Sequence, residues 1–207
     1  MPKLLAVLFA LALHSGAVRA GAYDDILAGA EHNRIEVVVS LLQLGLDANT
    51  ATPDGTTLLM TASRNGNLEM VDMLLKNKAN HLIRNKYGDT ALMLATLNGR
   101  MDVVRRLVDL GGKQENRDGW SALHYAAFGG HTEIARYLMS RNASVDLRAP
   151  NSQTALMLAA ANGRLDMVKF LIDEMADLRL KDREGKTARE IAKERGHQAI
   201  VDYLELF

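Results

Sequence analysis

Residues 119–131 read Gly119-Trp120-Ser121-Ala122-Leu123-His124-Tyr125-Ala126-Ala127-Phe128-Gly129-Gly130-His131, and this stretch decides how the rest of the chain is read. Gly119 opens it. Ser121 follows as a hydroxyl residue able to accept backbone N–H bonds as a helix N-cap. Ala and Leu then carry a short helix, and Gly130 closes it with the left-handed conformation that glycine tolerates at a helix end. Directly after comes Thr132-Glu133-Ile134-Ala135, the start of a second helix. There the acid at the positive end of the helix dipole contributes about 0.3–1 kcal/mol. The unit is helix, tight turn, helix.

Working outward, the same grammar returns along the chain. Taking Gly55, Gly88, Gly119, Ser152 and Gly185 as zero points, the steps are 33, 31, 33 and 33 residues. Eleven residues after each stands Gly66, Gly99, Gly130, Gly163 or Gly196, and an incomplete first unit starting near Ala22 has Asn33 there. Two residues after each zero point come the expected N-caps Asp24, Thr57, Thr90, Ser121, Thr154 and Thr187. Second helices begin at Ile35-Glu36, Leu68-Glu69, Met101-Asp102, Thr132-Glu133 and Leu165-Asp166. After them Gly45-Leu46-Asp47, Lys78-Ala79-Asn80, Asn142-Ala143-Ser144 and Met175-Ala176-Asp177 lead into turn-prone loops. One such pair cannot bury its apolar face alone and must borrow its neighbours' faces. The small residues Ala62, Ala95, Ala126 and Ala159 mark where first helices approach closely, and Leu74, Leu107, Leu138, Leu171 and Leu204 where second helices fill the layer between units. Residues Arg189 to Arg195 carry charge where inner units carry Leu and Ala, as a C-terminal capping unit requires.

These residues resemble the ankyrin-repeat family, whose Thr-Pro-Leu-His-x-Ala signature stands here as Ser121-Ala122-Leu123-His124-Tyr125-Ala126. Degraded copies start at Thr57, Thr90 and Thr154. Pro is missing from every copy, Met replaces His in three, and Lys78 and Met175 take positions where the family usually has Gly. The resemblance implies an all-α solenoid of about six stacked helix-turn-helix units with projecting hairpin loops, a protein-binding scaffold and not an enzyme. The units run at about 22–53, 54–86, 87–117, 118–150, 151–183 and 184–207.

Residues 1–20 stand apart. Lys3 precedes an apolar run from Leu4 to Leu13, and small residues follow, which is the grammar of a cleavable signal peptide. The run is too short for a span of about 20 residues, so no permanent membrane anchor is expected. Cleavage after Ala20 is expected, with Ala17 as the competing site, leaving the domain at residues 21–207. A leader on an ankyrin domain is similar to secreted, periplasmic bacterial members of the family, which implies a periplasmic or secreted monomer bound to another protein of the cell envelope.

Composition narrows the chemistry. The chain of 207 residues has 25 basic and 25 acidic residues and no cysteine. A balanced charge gives no field for nucleic acid, and the missing cysteines remove disulfides, thiolate nucleophiles and thiolate-ligated metals. His131 and His197 hold equal offsets two units apart, too far to share a metal, and Met60, Met93 and Met157 read as core filler before a soft-metal site. His124 is expected to hydrogen-bond within its own turn. No catalytic residue, cofactor or metal is expected; a small-molecule or metal carrier, or an unrecognised enzyme, is the alternative. Carrying the family's variable loop and inner-helix offsets onto this sequence gives Arg64, Tyr87, Asp89, Leu97, Arg117, Asp118, Trp120, Phe128 and Gln153 as the protein-binding residues. Tyr87, Leu97, Trp120 and Phe128 form the expected hot spot, since aromatics are only 5% of the chain. The alternative is that Trp120 folds onto Phe128 and Tyr87 to brace the connection at Gly111-Gly112-Lys113.

Overall fold

The computed structural model describes residues 16–112, 115 and 119–207, with side chains from residue 21 onward. Among the described residues twelve α-helices follow one another: α1 Gly16–Glu31, α2 Ile35–Gln43, α3 Leu58–Asn65, α4 Leu68–Lys76, α5 Ala91–Leu97, α6 Met101–Asp109, α7 Ala122–Gly129, α8 Thr132–Ser140, α9 Ala155–Ala161, α10 Leu165–Asp173, α11 Ala188–Glu194 and α12 Gln198–Leu204. Extended pairing in the described residues is limited to the isolated antiparallel bridges Ala51–Thr57 and Glu115–Ser121. The chain falls into two compact units that divide between Ala91 and Leu92, at the start of α5. In the first, α1 packs on α2 and α3, and α3 on α4. In the second, α7, α9 and α11 lie in a row, each on its neighbour and on its own partner α8, α10 or α12, while α6, α8, α10 and α12 follow one another alongside.

Helices of seven to nine residues are too short to persist alone in water, so their ends and their burial must hold them. Thr57, Ser121, Thr154 and Thr187 each accept the backbone N–H three residues on, at 3.2–3.4 Å. The side chain at that third position answers in three chemistries. Met60 Sδ accepts the Thr57 N–H at 3.4 Å, His124 Nδ1 the Ser121 N–H at 3.0 Å, and Glu190 Oε2 the Thr187 N–H at 2.8 Å. The expected N-cap Asp24 is different: α1 runs straight through it. Residues 16–23 hold helix-compatible Ala, Val and Arg and no proline, so nothing stops the helix from starting earlier, and Asp24 lies exposed on its side.

The core is the one the spacing implies. Ala62, Ala95, Ala126 and Ala159 are fully buried, as are Leu74, Leu107, Leu138 and Leu171. A fully buried leucine contributes about 1.5–3 kcal/mol relative to exposure. Arg189, Glu190, Lys193, Glu194 and Arg195 are exposed on and just after α11. Left-handed backbone occurs where the sequence places glycine, and also at Lys78, Ser152 and Met175, with φ of 67°, 63° and 66°.

A repeated clasp joins successive pairs in the second unit. His131 Nε2 donates to the Leu97 carbonyl at 2.9 Å, Arg164 Nε to the Phe128 carbonyl at 3.3 Å, and His197 Nε2 to the Ala161 carbonyl at 3.1 Å. All three acceptors are the ninth residue after a zero point, near the end of a first helix. Each donor crosses directly over a glycine. A Cβ at Gly99 would lie 2.7 Å from the His131 ring, and one at Gly163 2.9 Å from His197. On the other side of the second unit a cation covers the aromatic ring of the following pair: Arg105 on Tyr137, Arg136 on Phe170 and Lys169 on Tyr203, at 5.0, 4.8 and 5.6 Å. Each contact contributes about 0.5–1 kcal/mol where exposed.

Candidate functional site

The second unit carries a groove of about 390 Å³ lined by Leu97, Trp120, His124, Tyr125, Phe128, Gln153 and Leu158. The secondary structure explains how these come together. Trp120 sits between the left-handed Gly119 and the N-cap Ser121. His124, Tyr125 and Phe128 project from α7, while Leu97 and Leu158 come from α5 and α9. Gln153 ends the loop before α9 and is fixed there, its N–H donating to Asn151 Oδ1 at 3.1 Å and its Oε1 accepting from Asn151 Nδ2 at 2.8 Å.

His124 forms the floor. It is 1% exposed, and its Nδ1 accepts the Ser121 N–H, so the proton is assigned to Nε2. That N–H donates to the Leu147 carbonyl at 3.0 Å, with the Gln153 carbonyl at 3.3 Å. Burial pushes the imidazole below its ordinary range, against the raising effect of those two carbonyls. A neutral histidine with both nitrogens committed to structure is a loop anchor. Trp120 meets its ring edge to face, centroids 5.6 Å apart, and meets Tyr125 at 6.5 Å in the same manner. The indole is therefore half-buried against α7. Phe128 stays 48% exposed.

Of the residues expected to bind protein, Leu97, Trp120, Phe128 and Gln153 line this one groove. Arg64, Tyr87 and Asp89 belong to the first unit. Arg64 there pairs with Glu31 at 2.6 Å. Tyr87 is 66% exposed beneath the Lys86 ammonium at 5.0 Å. The Asp89 N–H donates to Asn85 Oδ1 at 2.9 Å. Arg117 and Asp118 lie outside the described residues, as does Lys113. Tyr125 and Leu158 were not among the expected residues. They share one offset, six after Gly119 and six after Ser152, so following that offset along the first helices would have found them. Among the described residues there is no group of three His, Asp or Glu placed to hold a metal ion, and no helix is long and apolar enough to cross a membrane.

Comparison with known proteins bears on the same repeats. The family model described as ankyrin repeats (3 copies) matches residues 26–114 and 77–149, and the one described as ankyrin repeats (many copies) matches residues 140–192. The chain belongs to the ankyrin-repeat family. Among curated ankyrin proteins it is 43% identical over 95 residues to Notch-regulated ankyrin repeat-containing protein B of Danio rerio, and 38% over 95 residues to Notch-regulated ankyrin repeat-containing protein of Homo sapiens. The matches cover 46% of this chain and 58% and 56% of those proteins. It is also 31% identical over 107 residues to ankyrin repeat and SAM domain-containing protein 6 of Mus musculus, covering 52% of this chain and 9% of that protein. The chain thus spans little more than half the length of the Notch-regulated proteins. An ankyrin domain is a protein-binding scaffold.

Proposed function

We propose that this chain is a non-enzymatic scaffold that holds another protein by seating one of the partner's apolar side chains between Leu97, Trp120 and Phe128. The observation that carries this reading is the groove itself, an aromatic-walled recess whose Phe128 is half-exposed. Covering the exposed half of such a ring returns about 1 kcal/mol, and Trp and Tyr walls in a desolvated pocket are where binding energy concentrates at interfaces. The proposal extends to location. Residues 1–20 are removed at export, leaving 23 basic and 25 acidic residues, and the mature monomer works outside the cytoplasm on an envelope protein whose action it modulates. Support for that part is the sequence pattern of Lys3, Leu4 to Leu13 and Ala20.

Photo-crosslinking of the purified chain in envelope extract, compared with Phe128→Ala, tests the binding reading. The captured partner, purified and titrated, should bind the variant at least about 2 kcal/mol more weakly, while the melting temperature stays nearly unchanged. Equal binding by the variant would refute it. Intact-mass measurement of the cellular product tests export: a chain beginning at Gly21 is expected, and one retaining residues 1–20 would overturn that part alone.

A further inference from the structure

Three arginines are tied to main-chain carbonyls of, or close in sequence to, the segments that build the groove. Arg164 donates from Nε to the carbonyl of Phe128, itself a wall of the groove. Arg183 donates from Nη2 to the Pro150 carbonyl at 2.7 Å, in the loop that leads to Gln153. Arg148, next to the Leu147 carbonyl that His124 holds, donates to the Lys181 carbonyl. Among the described residues none of the three has a carboxylate within ion-pair distance, whereas Lys186 takes up both Glu184 and Glu194, and Arg179 takes up Asp177. Main-chain carbonyls orient the three guanidinium groups without neutralising them. Each keeps N–H donors for another acceptor, since a guanidinium has five and bidentate carboxylate recognition uses two.

Resting on the binding reading above, we propose that the groove selects an acidic segment: one bulky apolar side chain in the recess, flanked by Asp or Glu that meet Arg148, Arg164 and Arg183. The arrangement divides the work by chemistry. The recess supplies the desolvated anchor, and the cationic rim supplies orientation and salt-sensitive selectivity against basic or neutral segments. Loop anchoring by His124 fixes the Arg148 backbone relative to the groove, so the rim is placed before the partner arrives, which lowers the ordering cost of binding.

The test uses three synthetic peptides of equal length, each with a central Phe and flanked by Glu, by Ser or by Lys. Trp120, the only tryptophan of the chain, reports binding by its fluorescence. The Glu-flanked peptide should bind about tenfold or more tighter than the Ser-flanked one at low salt, the gap closing at high salt. The Lys-flanked peptide should bind weakest. Arg148→Gln with Arg183→Gln should remove most of the preference, the remainder resting on Arg164, while leaving the Ser-flanked peptide's affinity as it was, and the two Lys variants should restore most of it because charge is retained. Equal binding of the Glu- and Ser-flanked peptides, lost in Phe128→Ala, would overturn the acidic selectivity and leave the apolar binding reading standing. Failure of all three peptides to perturb Trp120 would count against both.

Discussion

Gly163 and Gly196 occupy the same position of successive repeats with nearly the same backbone, φ 68° and 75°, yet alanine should cost different amounts at the two. A left-handed conformation costs an L residue about 1–2 kcal/mol, and both variants incur it. At Gly196 the new methyl meets nothing within 4 Å, so the cost ends there. At Gly163 it would lie 2.9 Å from the His197 ring, a separation real Cβ atoms do not show. The imidazole must move, and its 3.1 Å bond to the Ala161 carbonyl goes with it. A lost hydrogen bond adds about 0.5–1.5 kcal/mol, so Gly163→Ala should destabilise by about 2–3 kcal/mol against about 1–2 for Gly196→Ala. Urea titration with a common slope reads the difference directly. A double-mutant cycle with His197→Ala should recover the excess, because the methyl then has nothing to displace. Equal losses at Gly163 and Gly196, or an excess that survives in the His197→Ala background, would refute the idea that the clasp reserves this glycine.

Other consequences are open to equally direct measurement. Met175→Gly and Lys78→Gly relieve left-handed non-glycine residues, of which Met175 is 84% exposed, and each should stabilise by about 1 kcal/mol, a rise of about 2–4 °C in melting temperature; a fall would show that those side chains contribute more than their backbone strain. Ser63 Oγ and Thr96 Oγ1 are buried with no hydrogen-bond partner among the described residues, at the offset where other repeats carry Ala127 and Ala160, so Ser63→Ala and Thr96→Ala should raise stability by about 1 kcal/mol in thermal unfolding, and a loss would contradict that. Because burial depresses the His124 pKa, the unfolded chain takes up this proton first as pH falls. The associated stability is complete above about pH 6.5 and drains away below it towards the folded pKa. His124→Met, the residue of three sister repeats, should therefore be less stable than the parent at neutral pH, with the gap narrowing as the pH falls below about 6.5; a constant gap would sink the argument.

The fold was legible because its punctuation is local. Cap hydroxyls, closing glycines and first-turn acids depend on backbone chemistry within a few residues, and their spacing alone placed the helices from Leu58 onward. Asp24 escaped because a cap is a cap only if the chain before it leaves the helix, and residues 16–23 do not. The clasp and the ring-covering cations were invisible for a different reason: they join residues 32 to 36 positions apart, and residues as unlike as His131, Arg164 and His197 fill the same role. Groove residues were half-legible on the same grounds. Trp120 and Phe128 draw notice by type, whereas Tyr125 and Leu158 matter only because α7 and α9 lie side by side. The seat of Trp120 on His124 and Tyr125 also changes what its removal would report. Trp120→Ala forfeits edge-to-face contacts of about 0.5–1.5 kcal/mol each, so Phe128 is the cleaner probe of binding.

Hydrogen–deuterium exchange of the chain alone and in complex with its captured partner tests the central claim most directly. The account predicts added protection concentrated in α5, residues 119–129, and the stretch from residue 151 to the end of α9, with α8, α10 and α12 unchanged. Protection confined to the first unit, or to the helices bearing the Arg105, Arg136 and Lys169 contacts, would contradict it.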